Sequence, residues 1–520
     1  MGRGRVTERG EYLVLTAAQQ REIDERSGDA GVPRDTLMES AGSGAAEWIL
    51  SRFGPRRTVV LVGPGGNGGD GLVLARVLHN AGADVEALIV PPLDRLSPLT
   101  RKMHERLVES GGRVGPIEGE PESLVGRLKE ADQIVDSLFG TGMNRPLDEP
   151  YSRIVDAVNS LDKPVISLDL PSGLSSDTGR PIGEAVRADI TLAMEFLKPA
   201  HLLFPASSYC GDVAVIPIHY PPTLINGLRP FGRVLTGRGA RRLLPERRPD
   251  GHKGTFGRLL VIAGSVGMSG AAILCCRGAL RSGVGLVSAG LPESLLPILE
   301  TALPEAITIP IPERDGRLSG DVSERFEDAL AHADALAVGP GLSRADGVRR
   351  VVSSVLTSYP GPCVIDADAI PYLSSDLFQR IAGRAVLTPH PGELSPLVGL
   401  TPGEIDRDRV DVARRFAEEN GVVLALKGRP TVVADPDGGL YLNPTGNTGL
   451  ATGGSGDVLT GLIGGLLATG AKPKDAAVLG VYLHGLAADI YARDRSERSF
   501  LPSDLIETLP HALREVEEWS

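Results

Sequence analysis

The stretch that decides the fold of the C-terminal half is Asn447-Thr448-Gly449-Leu450-Ala451-Thr452-Gly453-Gly454-Ser455-Gly456-Asp457, which continues as Val458-Leu459-Thr460-Gly461-Leu462-Ile463-Gly464-Gly465-Leu466-Leu467. In the second part apolar side chains recur at helical spacing, which predicts a helix. The first part is a glycine-rich turn that brings backbone N–H groups to the start of that helix. Unpaired amides and the helix dipole both favour an anion, so the stretch predicts a phosphate-binding loop.

Asp457 is the candidate catalytic residue of this stretch. It falls in the predicted first turn of the helix, beside any phosphate held by Gly453–Gly456. A carboxylate in that place suits a general base that deprotonates a hydroxyl group attacking phosphorus. The alternative is that Asp457 only caps the helix. The density of glycine and hydroxyl residues ahead of it favours the catalytic interpretation.

Length, composition and charge set the outer limits of the function. The chain has 520 residues, 42% hydrophobic and 23% charged, with a net charge of −12. This size predicts two or three domains, and the negative charge argues against a nucleic-acid partner. No signal peptide and no membrane-spanning apolar run is predicted. The four cysteines show neither metal-ligand spacing nor a disulfide framework, which indicates a reduced, cytoplasmic protein.

The N-terminal half begins its own α/β pattern. After two helices, the first opened by the capping box Thr16-x-x-Gln19, the strand Thr58–Val62 is followed by the glycine loop Gly63–Gly71 and by a helix expected over Leu72–Asn80. Strand, glycine loop and helix in this order predict a doubly wound parallel sheet. The glycine spacing is not the dinucleotide fingerprint, and a tight turn without ligand is the alternative.

Later strands of this half also end in polar residues. Gln133–Asp136 leads to a glycine turn, and Pro164–Asp169 leads to Leu170-Pro171-Ser172-Gly173. The carboxyl ends of parallel strands meet at one edge of the sheet, where ligands bind. Asn67, Asp70, Asp136, Asp169 and Ser172 are therefore expected to converge, although each aspartate alone is more often a cap or turn residue.

An Arg-, Pro- and Gly-rich passage between Tyr220 and Pro249 is interpreted as the connection between two domains. Beyond it, further strands again end in polar residues. Cys363–Asp368 ends in two carboxylates that predict a magnesium neighbourhood. Leu387–Glu393 places His390 and Glu393 in a turn, and Val422–Gly428 ends in Lys427.

Together these motifs resemble the NAD(P)H-hydrate repair enzymes over nearly the whole chain. The N-terminal part resembles their epimerase half, with a Rossmann-like doubly wound sheet. The matching residues are Leu37-Met38-Glu39-x-Ala41-Gly42, Gly63–Gly71, Val135-Asp136-x-Leu138-x-Gly140-Thr141-Gly142 and Asp169-x-Pro171-Ser172-Gly173. The C-terminal part resembles the ADP-dependent dehydratase half, a ribokinase-like α/β domain. The matching residues are His252-Lys253-Gly254, Gly339-Pro340-Gly341, Thr388–Glu393, Lys427-Gly428 and Gly453–Asp457.

The resemblance implies an epimerase domain over residues 1–222, a linker and start of the second domain over 223–249, and a dehydratase domain over 250–520. The implied epimerase is an isomerase with Asp169 as general acid/base. Its substrate would be bound by Gly66, Asn67, Gly68, Gly69, Asp70, Gly140, Thr141, Gly142, Met143, Asn144, Arg145, Pro146 and Asp169. Potassium would be bound by Asn67, Asp136 and Ser172. One departure is visible: Gly66 stands where the family usually has asparagine.

The implied dehydratase is a lyase that consumes ADP with magnesium and releases AMP and phosphate. Its substrate would contact Ala271, Gly341, His390 and Asp457, and its ADP would contact Lys427, Gly428, Arg429, Pro430, Thr431 and Gly456. The substrates implied are NADH and NADPH hydrated at carbon 6 of the nicotinamide ring. The epimerase would interconvert the R and S hydrates, and the dehydratase would convert only the S form.

Two other functions remain open from the residues. One is a ribokinase-like small-molecule kinase with a regulatory N-terminal domain, because such kinases use the same glycine loop and aspartate. The other is a binding protein whose first domain is a scaffold. A homo-oligomer with no membrane partner is expected.

Overall fold

The structure is a computed structural model that describes residues 10–117 and 121–519. The described chain forms two compact units. The N-terminal unit spans Tyr12–Arg233, and the C-terminal unit comprises residues 234–519 together with Gly10 and Glu11.

The N-terminal unit is built on a parallel sheet whose strands follow along the chain with helices between them. The strands of this sheet are β2 (Thr58–Val62), β3 (Val85–Ile89), β4 (Arg113–Pro116), β5 (Gln133–Ser137), β6 (Val165–Leu168), β9 (Ile190–Met194) and β10 (Asp212–Ile216). The strand β1 (Glu11–Val14) is not part of it, and β7 (Leu174–Ser175) and β8 (Arg180–Pro181) form a separate antiparallel pair. The helices of this unit are α1 (Ala17–Asp29), α2 (Arg34–Phe53), α3 (Gly66–Asn80), α4 (Pro98–Glu109), α5 (Pro121–Glu130), α6 (Tyr151–Asn159), α7 (Pro199–Leu202) and α8 (Pro222–Asn226).

The strand order in the N-terminal sheet is β10-β9-β6-β5-β2-β3-β4, and all neighbours run parallel. All five residues of β2 are buried, as expected for a strand covered on both faces. From β2 the chain moves to β3 on one side and later to β5 on the other. The crevice above β2 and β5 is therefore a topological switch point, the usual ligand site of such sheets.

The C-terminal unit has the same layered design. Its strands are β11 (Gly232–Leu235), β12 (Arg258–Ile262), β13 (Leu286–Pro292), β14 (Ile307–Ile311), β15 (Glu313–Arg314), β16 (Arg317–Leu318), β17 (Ala335–Val338), β18 (Cys363–Ile365), β19 (Ala385–Leu387), β20 (Val423–Leu426), β21 (Val432–Ala434) and β22 (Leu440–Leu442). Its helices are α9 (Gly237–Leu243), α10 (Ser269–Arg281), α11 (Leu296–Ala302), α12 (Glu324–Ala331), α13 (Asp346–Ser358), α14 (Ser375–Ile381), α15 (Pro391–Val398), α16 (Pro402–Arg407), α17 (Arg409–Asn420), α18 (Ser455–Ala468), α19 (Pro473–Ala492) and α20 (Pro502–Glu517).

In the C-terminal sheet the strands β22-β21-β20-β19-β18-β17-β12-β13-β14 are neighbours in this order. The pairs from β20 to β14 are parallel, whereas β20–β21 and β21–β22 are antiparallel. The predicted apolar helix after Asp457 is α18, and almost all of it is buried. It packs against α10 at very short range, because a Cβ atom on Gly461 would overlap the backbone carbonyl oxygen of Cys275. The small residues of both helices thus allow α18 and α10 to pack closely.

One predicted boundary was wrong. Helix α3 begins at Gly66, not Leu72, so most of the predicted glycine loop is helical. Helix propensity disfavours glycine, but a Cβ at Gly68 would overlap the carbonyl oxygen of Gly63, and one at Gly71 would overlap the Ser137 hydroxyl. Close packing therefore outweighs propensity. The predicted connection also contains regular structure, namely α8, β11 and α9.

The described residues contain no helix long and apolar enough to cross a membrane. All four cysteines of the chain are buried with free thiols. The combined α/β architecture of the two units agrees with the fold class expected from the sequence.

Candidate active sites

The switch point of the N-terminal unit is lined by the first turn of α3. Asn67 lies in that turn, one residue after the helix begins. Both polar atoms of its carboxamide are buried, and neither has a hydrogen-bond partner among the described residues. A buried amide left without partners is costly, so these two atoms point to a bound ligand.

Asp136, at the end of β5, is fully buried. Its carboxylate accepts hydrogen bonds from the N–H of Leu138 at 3.2 Å, the N–H of Ser172 at 2.9 Å, and the hydroxyls of Ser172 at 2.7 Å and Ser167 at 2.9 Å. Burial raises the pKa of Asp136, and these hydrogen bonds oppose the rise. All four donors are neutral, so no protein cation balances the charge at hydrogen-bonding distance within residues 10–117 and 121–519.

Asp169 follows β6 directly and has a left-handed backbone conformation, with φ of 60°. Such a conformation is uncommon for a non-glycine residue and is frequent at functional sites. The Lys198 ammonium lies 2.8 Å from Asp169 Oδ1, and His201 Nε2 lies 2.7 Å from the backbone oxygen of Asp169. Burial alone would raise the pKa of Asp169, but Lys198, with smaller effects of His201 and the Met194 N–H, outweighs burial and the pKa is lowered. Asp169 is therefore held as a carboxylate.

The structure brings together only part of the predicted epimerase residues. A Cβ on Gly140 would lie 3.0 Å from Asp169 Oδ2 and 3.5 Å from Asn67 Cγ, so these three residues meet. Burial and the neighbouring Asp169 charge raise the pKa of Asp70 well above its usual range. The Met143 sulfur accepts a hydrogen bond from the Gly173 N–H at 3.2 Å.

The remaining predicted residues of this set lie outside that cluster. Asn144, Arg145 and Pro146 are exposed in the loop after β5, and Arg145 pairs with Asp148 at 3.6 Å. No contact joins them to Asp169 in the described structure.

In the C-terminal unit, Asp457 lies in the first turn of α18, where the sequence predicts it. Gly454 precedes the helix with φ of 98°, a conformation that glycine adopts freely. Side chains from elsewhere in the unit hydrogen-bond to the backbone at the start of α18 and in the turn before it. His484 Nε2 bonds the Ser455 carbonyl oxygen at 2.9 Å, and the Glu497 carboxylate accepts from the Thr448 N–H at 3.1 Å.

Next to Asp457 lies a buried charged cluster. Asp366, at the end of β18, accepts from the Lys427 ammonium at 3.0 Å and from the Thr460 hydroxyl at 2.6 Å. A Cβ on Gly456 would lie 3.3 Å from Lys427 Nζ and 4.0 Å from Asp366 Oδ2. The ends of β18 and β20 and the start of α18 therefore meet at one place.

The electrostatics of this cluster suit Asp457 as a base. Burial and the negative charge of Asp366 raise the pKa of Asp457 to about 7, against an opposing effect of Lys427. A general base works best with a pKa near the operating pH. Burial would lower the pKa of Lys427, but Asp366 and Glu393 outweigh it and raise that pKa, so Lys427 stays positively charged.

His390 is the N-cap of α15 and half of its side chain is exposed. Its Nδ1 accepts from the Gly392 N–H at 3.0 Å, and its Nε2 lies 3.4 Å from Glu393 Oε1. Glu393 is in turn 3.6 Å from Lys427, which links His390 to the charged cluster. A Cβ on Gly341 would lie 2.8 Å from Ala271 Cβ, so that predicted pair is adjacent.

The predicted nucleotide-binding segment Lys427–Thr431 is braced by a residue that the sequence did not reveal. The Arg409 guanidinium, only 7% exposed, hydrogen-bonds the backbone oxygens of Lys427, at 3.2 Å, and Pro430. The same guanidinium donates a hydrogen bond to Asp406 Oδ1 at 3.1 Å. A helix arginine three residues after an aspartate is usually a surface pair, so no sequence signal distinguished Arg409.

Lys198, His201, Thr460 and His484 were also missed. The one available signal was for Lys198, a single charged residue in the otherwise apolar run Phe196-Leu197-Lys198-Pro199-Ala200 after β9. Its role depends on Asp169, which is distant in sequence, so the run alone could not assign it.

The predicted magnesium and potassium sites offer different kinds of ligands. Among the described residues no group of three or more His, Cys, Asp or Glu side chains is arranged to hold a metal ion. Magnesium is commonly carried by nucleotide phosphates with one or two carboxylates, and Asp366 and Asp368 both act electrostatically on Asp457. In the N-terminal unit, the unpartnered Asn67 amide and the uncompensated Asp136 charge fit a monovalent cation.

Each unit has a buried ion pair beside the carboxyl ends of parallel strands, Lys198 with Asp169 in the N-terminal unit and Lys427 with Asp366 in the C-terminal unit. This arrangement is typical of α/β enzymes. A family model described as the YjeF-related protein N-terminus matches residues 34–200, and a model described as NAD(P)H-hydrate dehydratase matches residues 259–511.

Curated relatives match along the full chain. The bifunctional NAD(P)H-hydrate repair enzyme of Moorella thermoacetica is 40% identical over 517 residues, which cover 98% of this chain and 97% of that one. The enzyme of the same name from Thermofilum pendens is 38% identical over 493 residues, 94% and 93% of the two chains. The chain belongs to the bifunctional NAD(P)H-hydrate repair enzyme family.

Among solved structures, the ADP/ATP-dependent NAD(P)H-hydrate dehydratase of Bacillus subtilis, co-crystallised with ATP and Mg²⁺, is 36% identical. It covers 54% of this chain and 98% of its own, with a TM-score of 0.47.

Proposed function

We propose that this chain restores NADH and NADPH from their hydrates, with the N-terminal unit as epimerase and the C-terminal unit as ADP-dependent dehydratase. The observation that carries the proposal is the position of Asp457, with a pKa of about 7, at the start of α18 beside Lys427 and Asp366. The family membership favours this function over the kinase alternative.

In the dehydratase, Asp457 takes the proton of the carbon-6 hydroxyl while the hydroxyl oxygen attacks the terminal phosphoryl group of ADP, and AMP leaves. Backbone amides of Gly454–Gly456 stabilise the charge that develops on that group. The phosphate ester then breaks at carbon 6, helped by the lone pair of the ring nitrogen, and a proton leaves carbon 5. The products are NAD(P)H, AMP and phosphate.

Several residues hold the nucleotide in this proposal. Lys427–Thr431 and Gly456 contact ADP, while Ala271, Gly341 and His390 contact the hydrate. Asp366 or Asp368 would hold magnesium together with the phosphates. The bound ion would neutralise phosphate charge during transfer.

In the epimerase, Asp169 takes the proton of the same hydroxyl. The bond between carbon 6 and the ring nitrogen then opens to an aldehyde, its electron pair moving to the nitrogen. Rotation and reclosure on the other face, with return of the proton, give the second epimer. Asn67, Asp136 and Ser172 would hold potassium.

The test follows NADH absorbance from a mixed-epimer hydrate with ADP and magnesium. Wild type should convert both epimers, Asp457→Asn neither, and Asp169→Asn only the S form at the enzymatic rate. Two controls carry the same change at other helical positions, Asp475→Asn in the first turn of α19 and exposed Asp156→Asn in α6. A stable phosphorylated product in place of NADH would establish the kinase alternative and refute the repair function.

The proposal also covers the potassium ion, the choice of nucleotide, and the location and assembly of the protein. Potassium should accelerate epimerisation in wild type but not in Asp136→Asn. ADP should support dehydration better than ATP. The four buried, unpaired thiols favour a cytoplasmic location, and light scattering tests the expected homo-oligomer.

A further inference from the structure

Lys198 is a lysine with no solvent-exposed side-chain surface. Its ammonium group lies 2.8 Å from Asp169 Oδ1 and donates to the Phe196 carbonyl oxygen at 3.0 Å. Full burial of a lysine is rare and requires a compensating charge. The carboxylate of Asp169 supplies that charge, so the two groups form one buried ion pair.

His201 holds the same aspartate by its backbone. The Lys198 N–H donates to His201 Nδ1 at 3.0 Å, so the ring proton is on Nε2. Nε2 therefore donates to the Asp169 carbonyl oxygen at 2.7 Å. Burial and the Lys198 charge lower the pKa of His201 to about 4, which keeps the ring neutral. The bond fixes the residue whose φ is 60°.

The two oxygens of the Asp169 carboxylate have different neighbours. Oδ1 is occupied by Lys198, whereas Oδ2 lies 3.0 Å from the position of a Cβ on Gly140, beside Asn67. Glycine at position 140 therefore leaves the approach to Oδ2 open.

The other titratable groups that act on this pair are mostly acidic. Asp70 and Asp24 interact electrostatically with both Asp169 and Lys198. The Tyr220 hydroxyl donates a hydrogen bond to Asp24, and the charge of Asp169 raises the pKa of Tyr220. Without the ammonium, burial and these neighbours would all favour protonation of Asp169.

We infer that Lys198 and His201 are the positioning residues of the epimerase, and that Asp169 Oδ2 is the oxygen that exchanges the hydroxyl proton. This inference rests on the proposed epimerase function. Lys198 keeps Asp169 ionised and turns Oδ2 towards the substrate, while His201 fixes the backbone. The two residues therefore have different kinetic signatures.

The first experiment measures interconversion of a purified hydrate epimer by chromatography without ADP, from pH 5 to pH 10, with the spontaneous rate subtracted. Lys198→Met should move the acid limb of kcat/KM upward by about 1–3 pH units, the size of a neighbouring-charge effect. Its activity should fall most at pH 5, the lowest pH measured, by up to about tenfold, and recover at high pH. A Lys198 with only a packing role would lower the rate equally at every pH.

The matched control is Lys163→Met, because Lys163 in the same unit donates to the Ala131 carbonyl oxygen at 2.7 Å and forms no ion pair with the part of the chain that the structure describes. It should leave the pH profile in place. Lys198→Arg keeps the charge and should keep the acid limb where it is, even if kcat falls.

The second experiment uses His201→Leu, which removes the donor, and His201→Gln, which retains one. His201→Leu should lower kcat about tenfold and move the acid limb less than Lys198→Met does, because His201 contributes less than Lys198 to the lowered pKa of Asp169. His201→Gln should lose less activity than His201→Leu. Circular dichroism melting reports whether each variant folds. If the Lys198 variants do not fold, the comparison of His201→Leu with His201→Gln tests the inference.

The outcomes separate this inference from the proposed function. If wild type does not interconvert the epimers, the epimerase function itself fails. If wild type is active and Asp169→Asn is inactive, but folded Lys198→Met shows an unmoved acid limb, the role of Lys198 is refuted. Equal kcat for the two His201 variants would refute the role of His201.

Discussion

The pH dependence of dehydration should follow the ionisation of Asp457. With a pKa of about 7, Asp457 is about one-tenth ionised at pH 6 and about nine-tenths ionised at pH 8. If the carboxylate is the base, kcat/KM for ADP should therefore rise about tenfold between these values. The parameter to measure is kcat/KM for ADP, because it reports the ionisation of Asp457 in the free enzyme, before bound ADP adds charge near it.

A second variant tests the cause of the raised pKa. Burial and Asp366 contribute most to it, while Lys427 opposes them. Asp366→Asn removes the negative neighbour and leaves the positive one, so the midpoint should fall by about one pH unit. At pH 6 the ionised fraction of Asp457 would then rise from about one-tenth to about one-half.

The comparison between variants removes the main ambiguity. ADP phosphate also titrates in this range, but its ionisation is the same for every variant. Asp376→Asn is the control, because Asp376 is an exposed carboxylate in the first turn of α14. A wild-type profile that is flat from pH 6 to pH 8, or an equal midpoint for Asp366→Asn and Asp376→Asn, would refute the reasoning.

Three other perturbations have defined outcomes. Because the folded pKa of Asp457 lies above its usual 3.8, folding loses stability as the pH rises from about 4 to about 7. Asp457→Asn should therefore raise the free energy of unfolding at pH 8, by up to about 4 kcal/mol, with no gain near pH 4 in urea titrations. Gly461→Ala places a Cβ against the Cys275 carbonyl oxygen and should destabilise the C-terminal unit by about 3 kcal/mol, so dehydration should be lost at a lower urea concentration than in wild type while the urea dependence of epimerisation stays unchanged. His484→Leu removes the bond to Ser455 O and should raise KM for ADP about tenfold, the effect of a lost buried hydrogen bond; an unchanged KM would refute that role.

The sequence predicted those parts of the fold that depend on local pattern. The strand β2 is a continuous apolar run, and α18 shows a helical apolar period after a glycine turn. Residues at the ends of successive parallel strands were expected to converge, and Asn67, Gly140 and Asp169 do meet.

The sequence did not predict features that depend on contacts between distant residues. The early start of α3 at Gly66 results from packing on other elements, and glycine propensity argues against it. Arg409 and Lys198 become distinctive only through partners, the Pro430 carbonyl oxygen and Asp169. The assignment of substrate contacts to Asn144 and Arg145 stays a prediction.

The burial of the cysteines has a chemical consequence for an enzyme that repairs a damaged redox carrier. Burial raises the pKa of Cys210 and Cys276 to about 12 and that of Cys363 to about 11, and it holds the pKa of Cys275 well above its usual value. Oxidants and alkylating reagents attack the thiolate. At neutral pH these side chains remain protonated and inaccessible, so peroxide at concentrations that oxidise exposed thiols would leave these four thiols reduced.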